Sequence, residues 1–525
     1  MQRGTTFPLT GARWYLVVVL IAFAGAAVDI WSLGQTSATY DEFGHLRYGL
    51  RVLEGDTSRF DDSKMPVSAL NALAVRMDEC FRDEPPRGLN LVPGRIVTVG
   101  AGVVLVVVIS LWSRDLFGAR SGLFAALLAA MEPNLHAHSR LVTTDVWSAL
   151  AVTLNLWALW SWRRNPSLGR AALLGVSAGA ALLTKFSAIL LLPLILCGVF
   201  IAGSRCRNGF PRPSHRLLHL TIAAIAAISV LNLGYLGQGS LTPISAYQFN
   251  DSRMIAMASS LGPLADLPLP LPTAFVEGLD MVAYNEATGS GRGPAYLLGG
   301  TRHGRFATYY PLVFLLKVPL PLWILLAIAC FHLWRREPPA PDLFPLLGGL
   351  VIFGGYFTLI CRAQMGLRLA LMVIPLLVVS ASSVFRDRHR LRPARPLLEI
   401  LLLSWMGVSV ASFQPHLLPY VNELIPDRKM IWRTLADSNL DWGQAEIALK
   451  EFLLHRPGAL VNPPIPAEGT IVVSANVLTG VLPMGDHRWY RWLAHERRPE
   501  AHIAYAYLIF EIDKEDLSEF NSWQG

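Results

Sequence analysis

The sequence predicts an all-α polytopic membrane protein of about eleven spanning helices, closed by a small C-terminal α+β domain on the outer face. Three observations carry this expectation. The 525-residue chain is 53% hydrophobic but only 16% charged, with a mean hydropathy of +0.40, whereas soluble chains carry about 25% charged residues. The apolar residues gather in long runs. Short arginine-bearing connectors separate those runs, as between membrane helices.

The runs fall at roughly 14–32, 92–112, 121–135, 146–162, 171–184, 186–203, 217–236, 310–334, 343–361, 366–384 and 397–413. The third and fifth are short, as suits helices inside a bundle. The start also fits a signal peptide, with small residues at 24–27 for cleavage; the length of the run and the spans that follow favour a retained helix. Arg3 and Arg13, Arg114 and Arg120, Arg163, Arg164 and Arg170, and Arg205, Arg207, Arg212 and Arg216 occupy alternate connectors. Arg335 and Arg336, and then Arg386, Arg388, Arg390, Arg392 and Arg395, continue the series. With eleven spans, all lie on one face, which is then the cytoplasm.

The opposite face of a plasma (inner) membrane receives the loops 33–91 and 237–309, a segment at 136–145, and a tail. Residues 1–413 form the membrane domain on this reading, and 414–525 a periplasmic domain. Strand-like text at 470–474 and 503–512 and a helical stretch near 444–454 make that tail α+β. The net charge of +7 sits in small clusters between spans and forms no basic domain, so nucleic acid is excluded as a partner. Five cysteines show no CxxC and no metal spacing, so neither a disulfide framework nor a zinc site is expected.

Polar residues crowd the outer ends of the spans. The first loop carries Asp41-Glu42-Phe43-Gly44-His45, then Gly55-Asp56 and Lys64-Met65-Pro66. Before the fourth span stand His136, His138, Arg140 and Asp145. Thr184-Lys185 joins the fifth and sixth spans, Tyr309-Tyr310 and Lys317-Val318-Pro319 open the eighth, and Gly366-Leu367-Arg368 opens the tenth. A charge within a span is a functional candidate by default. Lys185, Lys317 and Arg368 with Asp41, Glu42 and Asp145 suit a phosphorylated lipid: cations for the phosphate, a carboxylate for proton removal. The plainer reading has them pair and hold the bundle together. His136 and His138, two apart, would share a metal only on extended backbone; with no third ligand in view, local hydrogen bonding is the commoner use.

In this order, Asp-Glu, Gly-Asp, Lys-x-Pro, His-Ser-x-Leu-Val-Thr-Thr-Asp, Leu-Thr-Lys and Lys-x-Pro-Leu-Pro, the motifs resemble glycosyltransferase family 39. That group includes protein O-mannosyltransferases and aminoarabinose transferases, with the GT-C membrane architecture. In the tail, Asn422-Glu423 and Asp437-Ser438-Asn439-Leu440-Asp441-Trp442-Gly443-Gln444 resemble text recurrent in bacterial members. Leu369-Ala370-Leu371 after Arg368, and Met65 after Lys64, depart from the family pattern.

The resemblance implies a polyprenyl-phosphate-sugar donor and a lipid, glycan or protein acceptor of unspecified identity, with no cofactor and no metal. It makes Asp41 the base, with Glu42 and Asp145 as further catalytic acids, and Lys64, Lys185, Lys317 and Arg368 as phosphate ligands. Candidate sugar or acceptor contacts are His45, His138, Tyr309, Tyr310, Asn439 and Asp441. A single carboxylate acting directly implies inversion at the anomeric carbon. Rival readings are a lipid or anionic-solute transporter, which internal repeats would favour, and an outer-face glycan polymerase or ligase.

Overall fold

The computed structural model describes residues 11–56, 64–81, 89–201, 212–290, 293–335, 342–386 and 395–523. Arg3, Arg205, Arg207, Arg336, Arg388, Arg390 and Arg392 lie outside the described residues.

The chain is mostly helical. It runs through α1 (Ala12–Ser32), the outer-loop helices α2 (Glu42–Leu53) and α3 (Ser68–Cys80), α4 (Val92–Phe117), α5 (Ala119–Ala129) and the short α6 (Pro133–Ser139). Then come α7 (Asp145–Arg164), α8 (Leu168–Leu182), α9 (Leu191–Phe200) and α10 (Pro213–Gly234). The second long loop folds as α11 (Ser252–Ser260), α12 (Thr273–Thr288) and a hairpin of β1 (Ala295–Leu297) and β2 (Gly300–Arg302). Next are α13 (Tyr309–Lys317), α14 (Leu320–Trp334), α15 (Phe344–Gly355), α16 (Val373–Ser382) and α17 (Arg395–Ala411).

Helix α4 is the hub, packed against α1, α3, α5 and α7. Helix α10, by contrast, leaves Leu217, Leu218, Ile225 and Leu233 exposed, an apolar face of the kind lipid covers.

Each predicted run contains helix, yet length sets them apart. Among the described residues, three helices, α1, α4 and α10, are long and apolar enough to cross a membrane, or four if one bent pair counts as a single span. Six others are shorter apolar helices, and α7, at 20 residues, is long enough but not apolar enough, so the expected count of about eleven is not reached on length and composition alone. The predicted span 310–334 is two helices, α13 and α14, bent by 109°. The cause is Pro319: a proline drives the residue before it out of the helical region, and Val318 is extended (φ −88°, ψ 132°).

A break of this kind leaves carbonyls without partners. Asn422 supplies three donors: its backbone N–H to Leu316 O at 2.7 Å, and its Nδ2 to Leu315 O and Val318 O at 2.6 and 2.8 Å. Asn134 Nδ2 donates to Lys317 O at 2.8 Å.

The tail adds α18 (Glu446–His455), α19 (Ala475–Leu478) and α20 (His487–Glu496) beside a four-stranded sheet. Its strands are β3 (Leu460–Val461), β4 (Gly469–Ser474), β5 (Ala501–Ile503) and β6 (Tyr507–Ile512), in the order β3-β4-β6-β5. The strand expected over 503–512 is thus two strands, turned by Ala504 and Tyr505 at positive φ. Trp489 and Trp492 are fully buried and stack at 5.3 Å, with Phe520 edge-on to both; they are core.

Candidate active site

Asp41 and Glu42 are adjacent and do different things. Glu42 is fully buried. Its carboxylate accepts Arg95 Nε at 2.8 Å and Arg95 Nη2 at 2.7 Å, and also the N–H groups of Thr39 at 2.7 Å and Val142 at 2.9 Å. Arg95 spends its remaining donors on the carbonyls of Leu33, Thr36 and Ser37. This paired and saturated unit staples the loop after α1 to α4 and to the segment before α7. Glu42, expected at the reaction centre, is a structural clamp there, because every lone-pair direction is taken.

Asp41 precedes the first residue of α2 but makes no capping hydrogen bond. Its carboxylate keeps 20% exposure and faces two cations: Arg368 Nη1 at 2.9 Å from Oδ2 and Lys64 Nζ at 3.7 Å from Oδ1. Lys64 reaches this point past Gly44, where a Cβ would stand 2.8 Å from Lys64 Cε. Arg368 is held on two more sides. Its Nε donates to Ser438 Oγ at 3.2 Å, and its guanidinium lies 4.0 Å from the centroid of the Trp442 ring, a cation–π contact.

The second carboxylate stands beside the first group. Asp145 Oδ1 accepts Lys185 Nζ at 2.8 Å, and the same Nζ lies 3.4 Å from Arg368 O. Lys185 is delivered by the break after α8, where its backbone is extended (φ −164°, ψ 139°). His138 Nδ1 is 3.9 Å from Asp145 Oδ2. Both atoms are buried without a hydrogen-bond partner among the described residues, a costly condition unless a ligand or water serves them. Burial, then Lys64, pushes His45 down to about 3. Burial likewise lowers His138 to about 4 despite the pull of Asp145. Both histidines are therefore neutral at physiological pH.

The tail enters the site directly. Tyr40 N donates to Trp442 O and Ser37 N to Gln444 O, each at 3.0 Å. Gly366, at φ 142°, leaves no room for a Cβ against Ser438 Oγ, and that hydroxyl also donates to Met365 O. Asp437 adopts φ 57°, and burial raises its carboxyl to about 6 against the pull of Arg368.

The structure therefore brings together Asp41, Lys64, Asp145, Lys185 and Arg368, with His45 and His138 at the edge. It sets Lys317 apart: buried, it donates from Nζ to Leu418 O at 2.7 Å and Asn439 O at 2.9 Å. It is the tie between α13 and the tail. The remaining candidates are framework as well. Asn439 Oδ1 accepts Leu367 N at 3.0 Å while its Nδ2 donates to Tyr309 Oη at 3.0 Å. Tyr310 Oη donates to Ala363 O at 2.6 Å, and Asp441 Oδ2 accepts Ser474 Oγ at 2.6 Å. Sequence reasoning missed Arg95, Ser438, Asp437 and the stacking role of Trp442. The first was detectable as a charge in the first turn of a predicted span.

Among curated proteins, none matches the chain closely enough to count as a relative. The structure is similar to that of ArnT from Cupriavidus metallidurans bound to undecaprenyl phosphate, at 16% identity over 84% of this chain and 72% of that one, with a TM-score of 0.48. It is similar to the Archaeoglobus fulgidus oligosaccharyltransferase in the apo form, at 14% identity over 76% of this chain and 56% of that one, with a TM-score of 0.48. A similarity to the S. cerevisiae protein O-mannosyltransferase Pmt1-Pmt2 complex bound to the sugar donor covers 44% of this chain and 33% of that one, at 14% identity and a TM-score of 0.36. Residues 87–233, which include Asp145 and Lys185 but not Asp41, Lys64 or Arg368, match the family model described as dolichyl-phosphate-mannose-protein mannosyltransferase.

Proposed function

We propose that the chain is a GT-C-type membrane glycosyltransferase that moves a sugar from a polyprenyl-phosphate-linked donor to a hydroxyl, or a similar group, of an acceptor at the outer face. The observation that carries the reading is one partly exposed carboxylate, Asp41, ringed by Arg368 and Lys64, with the Asp145–Lys185 pair beside it. Arg368, Lys64 and Lys185 offer a phosphate leaving group three cations within one cluster, the charge-assisted contacts such a group takes.

Asp41 takes the proton of the acceptor hydroxyl. The acceptor oxygen forms its bond to the anomeric carbon as the bond from that carbon to the phosphate oxygen breaks. The electron pair of that bond goes to the phosphate, and attack from the opposite side inverts the centre. Phosphate is an acidic leaving group and needs no proton donor; Arg368, Lys64 and Lys185 take up its charge. In this scheme Arg368 exchanges Asp41 for the donor phosphate, which frees the carboxylate to act as base. The reaction so drawn is metal-independent. Asp145 orients the sugar or acceptor, together with His138.

The shorter apolar helices are proposed to cross with α1, α4 and α10, in the eleven-span arrangement with arginine connectors on the cytoplasmic side. That arrangement puts the Asp41 cluster at the outer end of the bundle, in the plasma membrane, with the tail outside.

The test is sugar transfer by membranes containing equal amounts of parent or Asp41→Asn protein, supplied with a panel of undecaprenyl-phosphate-linked sugars. Loss of a general base costs about 100- to 10,000-fold. Near-normal transfer by Asp41→Asn would rule Asp41 out.

A further inference from the structure

A cavity of about 700 Å³ opens where α11, the end of α12 and the end of α15 meet, and it shares no residue with the Asp41 cluster. Three guanidinium groups line it: Arg253, Arg305 and Arg362. They are not equally committed. Arg253 is matched by Asp251, with Nε and Nη2 at 3.1 and 3.0 Å from its two oxygens. Arg362 donates from Nη1 to Ala287 O at 2.7 Å, and Arg305 donates to Leu359 O. Among the described residues, neither of these two has a carboxylate partner. Glu286, the acid in the lining, takes the backbone N–H of Arg362 at 2.7 Å and the Cys361 thiol at 3.8 Å. A guanidinium carries five N–H donors, so among the described residues most donors of Arg305 and Arg362 meet no protein acceptor.

The backbone explains how Arg305 is seated. The last turn of this span, Tyr356–Ile360, is a π-helix; the wider turn changes which carbonyls are used, and Leu359 O receives Arg305. Leu359 and Ile360 are 69% and 61% exposed at the wall of the cavity. They end an apolar helix, so on the membrane placement given above they touch lipid. The cavity then sits at the water–lipid boundary, where phosphate headgroups lie. Its volume is in the range of small-ligand sites.

We propose that this cavity is a second anion site that holds the phosphate headgroup of a membrane lipid on Arg305 and Arg362, with Arg253 at its rim. Arg362 and Arg368 are six residues apart, so the site lies within about 20 Å of the Asp41 cluster along the chain. The inference rests on the membrane placement and not on the transfer reaction, so it is read by binding alone.

The test uses the full-length protein in detergent and native mass spectrometry, with dioleoyl phosphatidic acid, dioleoyl phosphatidylcholine and inorganic phosphate as probes. The parent should retain phosphatidic acid at least about tenfold more strongly than phosphatidylcholine, a difference of about 1.4 kcal/mol. Arg305→Gln/Arg362→Gln should erase that preference. Arg456→Gln, at an exposed arginine after α18, should keep it. Equal retention of the two lipids by the parent, or an undiminished preference in the double variant, overturns the site. Competition by inorganic phosphate at equal concentration assigns the cavity to soluble phosphate and overturns the lipid source. If the double variant fails size-exclusion chromatography, Arg362→Gln, at an exposed side chain, carries the same comparison.

Discussion

Glu42→Gln is the change that separates framework from chemistry at the Asp41–Glu42 pair. The substitution keeps shape and removes charge from a fully buried side chain. Two Arg95 donors at 2.7 and 2.8 Å lose their carboxylate, and Arg95, itself buried, has no other acid in reach among the described residues. The amide also turns an NH₂ group toward backbone N–H donors, of which Thr39 and Val142 present one each. Removing one partner of a buried pair costs about 3–5 kcal/mol, and the donor–donor clash puts this case at the upper end. Asp41→Asn differs on each count. Its side chain is 20% exposed and its cations stand at 2.9 and 3.7 Å, so water reaches this carboxylate and screening makes the loss on neutralisation smaller than at the fully enclosed Glu42.

The assay pairs thermal unfolding of detergent-solubilised protein with sugar transfer per folded molecule. Glu42→Gln should unfold at clearly lower temperature, while its folded fraction transfers within about tenfold of the parent. Asp41→Asn should unfold normally and lose about 100- to 10,000-fold in transfer. A Glu42→Gln protein as stable as the parent yet inactive would refute the assignment of Glu42 to the clamp.

Lys317→Met should act on stability and not on donor affinity. It strips donors from two buried carbonyls, at about 1.5–3 kcal/mol for each charge-assisted bond, and unfolding and the donor KM read the two effects separately. Gly44→Val places a Cβ 2.8 Å from Lys64 Cε, so Lys64 must move; the donor KM should rise about tenfold with the fold intact. Burial raises the Asp437 carboxyl from 3.8 to about 6, so between those values the folded chain binds the proton more tightly than the unfolded one. Stability from this residue is therefore present below about pH 4 and lost as pH rises through about 6. Asp437→Asn, which tolerates the same positive φ, should stabilise the protein at pH 7 by up to ~3 kcal/mol and leave it unchanged near pH 4; unfolding at the two pH values checks both.

Much of the site was legible because membrane sequences make charge conspicuous. Asp145, Lys185 and Arg368 each interrupt or border an apolar run, Asp41 and Lys64 stand in the motifs of the loop 33–91, and the structure gathers all five. What failed was the division of labour between neighbours. Nothing local separates Asp41 from Glu42; Arg95, which makes the difference, lies 53 residues away. Yet Arg95 carried the signal that flagged Lys185, a charge inside a span. So did Asp29 of α1, whose carboxylate takes His136 Nδ1 at 2.9 Å with Arg140 at 3.8 Å. For Lys317 the clue was the next dipeptide: Val318-Pro319 ends a helix, and a lysine on the last turn of a broken helix has carbonyls to serve before any ligand.

That broken helix bears on how the site is built. Four carbonyls at the end of α13, from Leu315 to Val318, are satisfied from outside the helix, three by Asn422 and one by Asn134. Lys317 returns the exchange by donating to Leu418 O and Asn439 O. Asn439 in turn receives Leu367 N, which fixes the turn that aims Arg368, and Trp442 stacks under that arginine. The run from 418 to 444 is thus joined to the helical bundle by bonds made in both directions. A chain ended at 413 would leave the carbonyls of Leu315, Leu316 and Val318 and the Lys317 ammonium without these partners and Arg368 without its platform. The position of the arginine that meets Asp41 at 2.9 Å therefore depends on the tail, even though the carboxylate sits near the opposite end of the sequence.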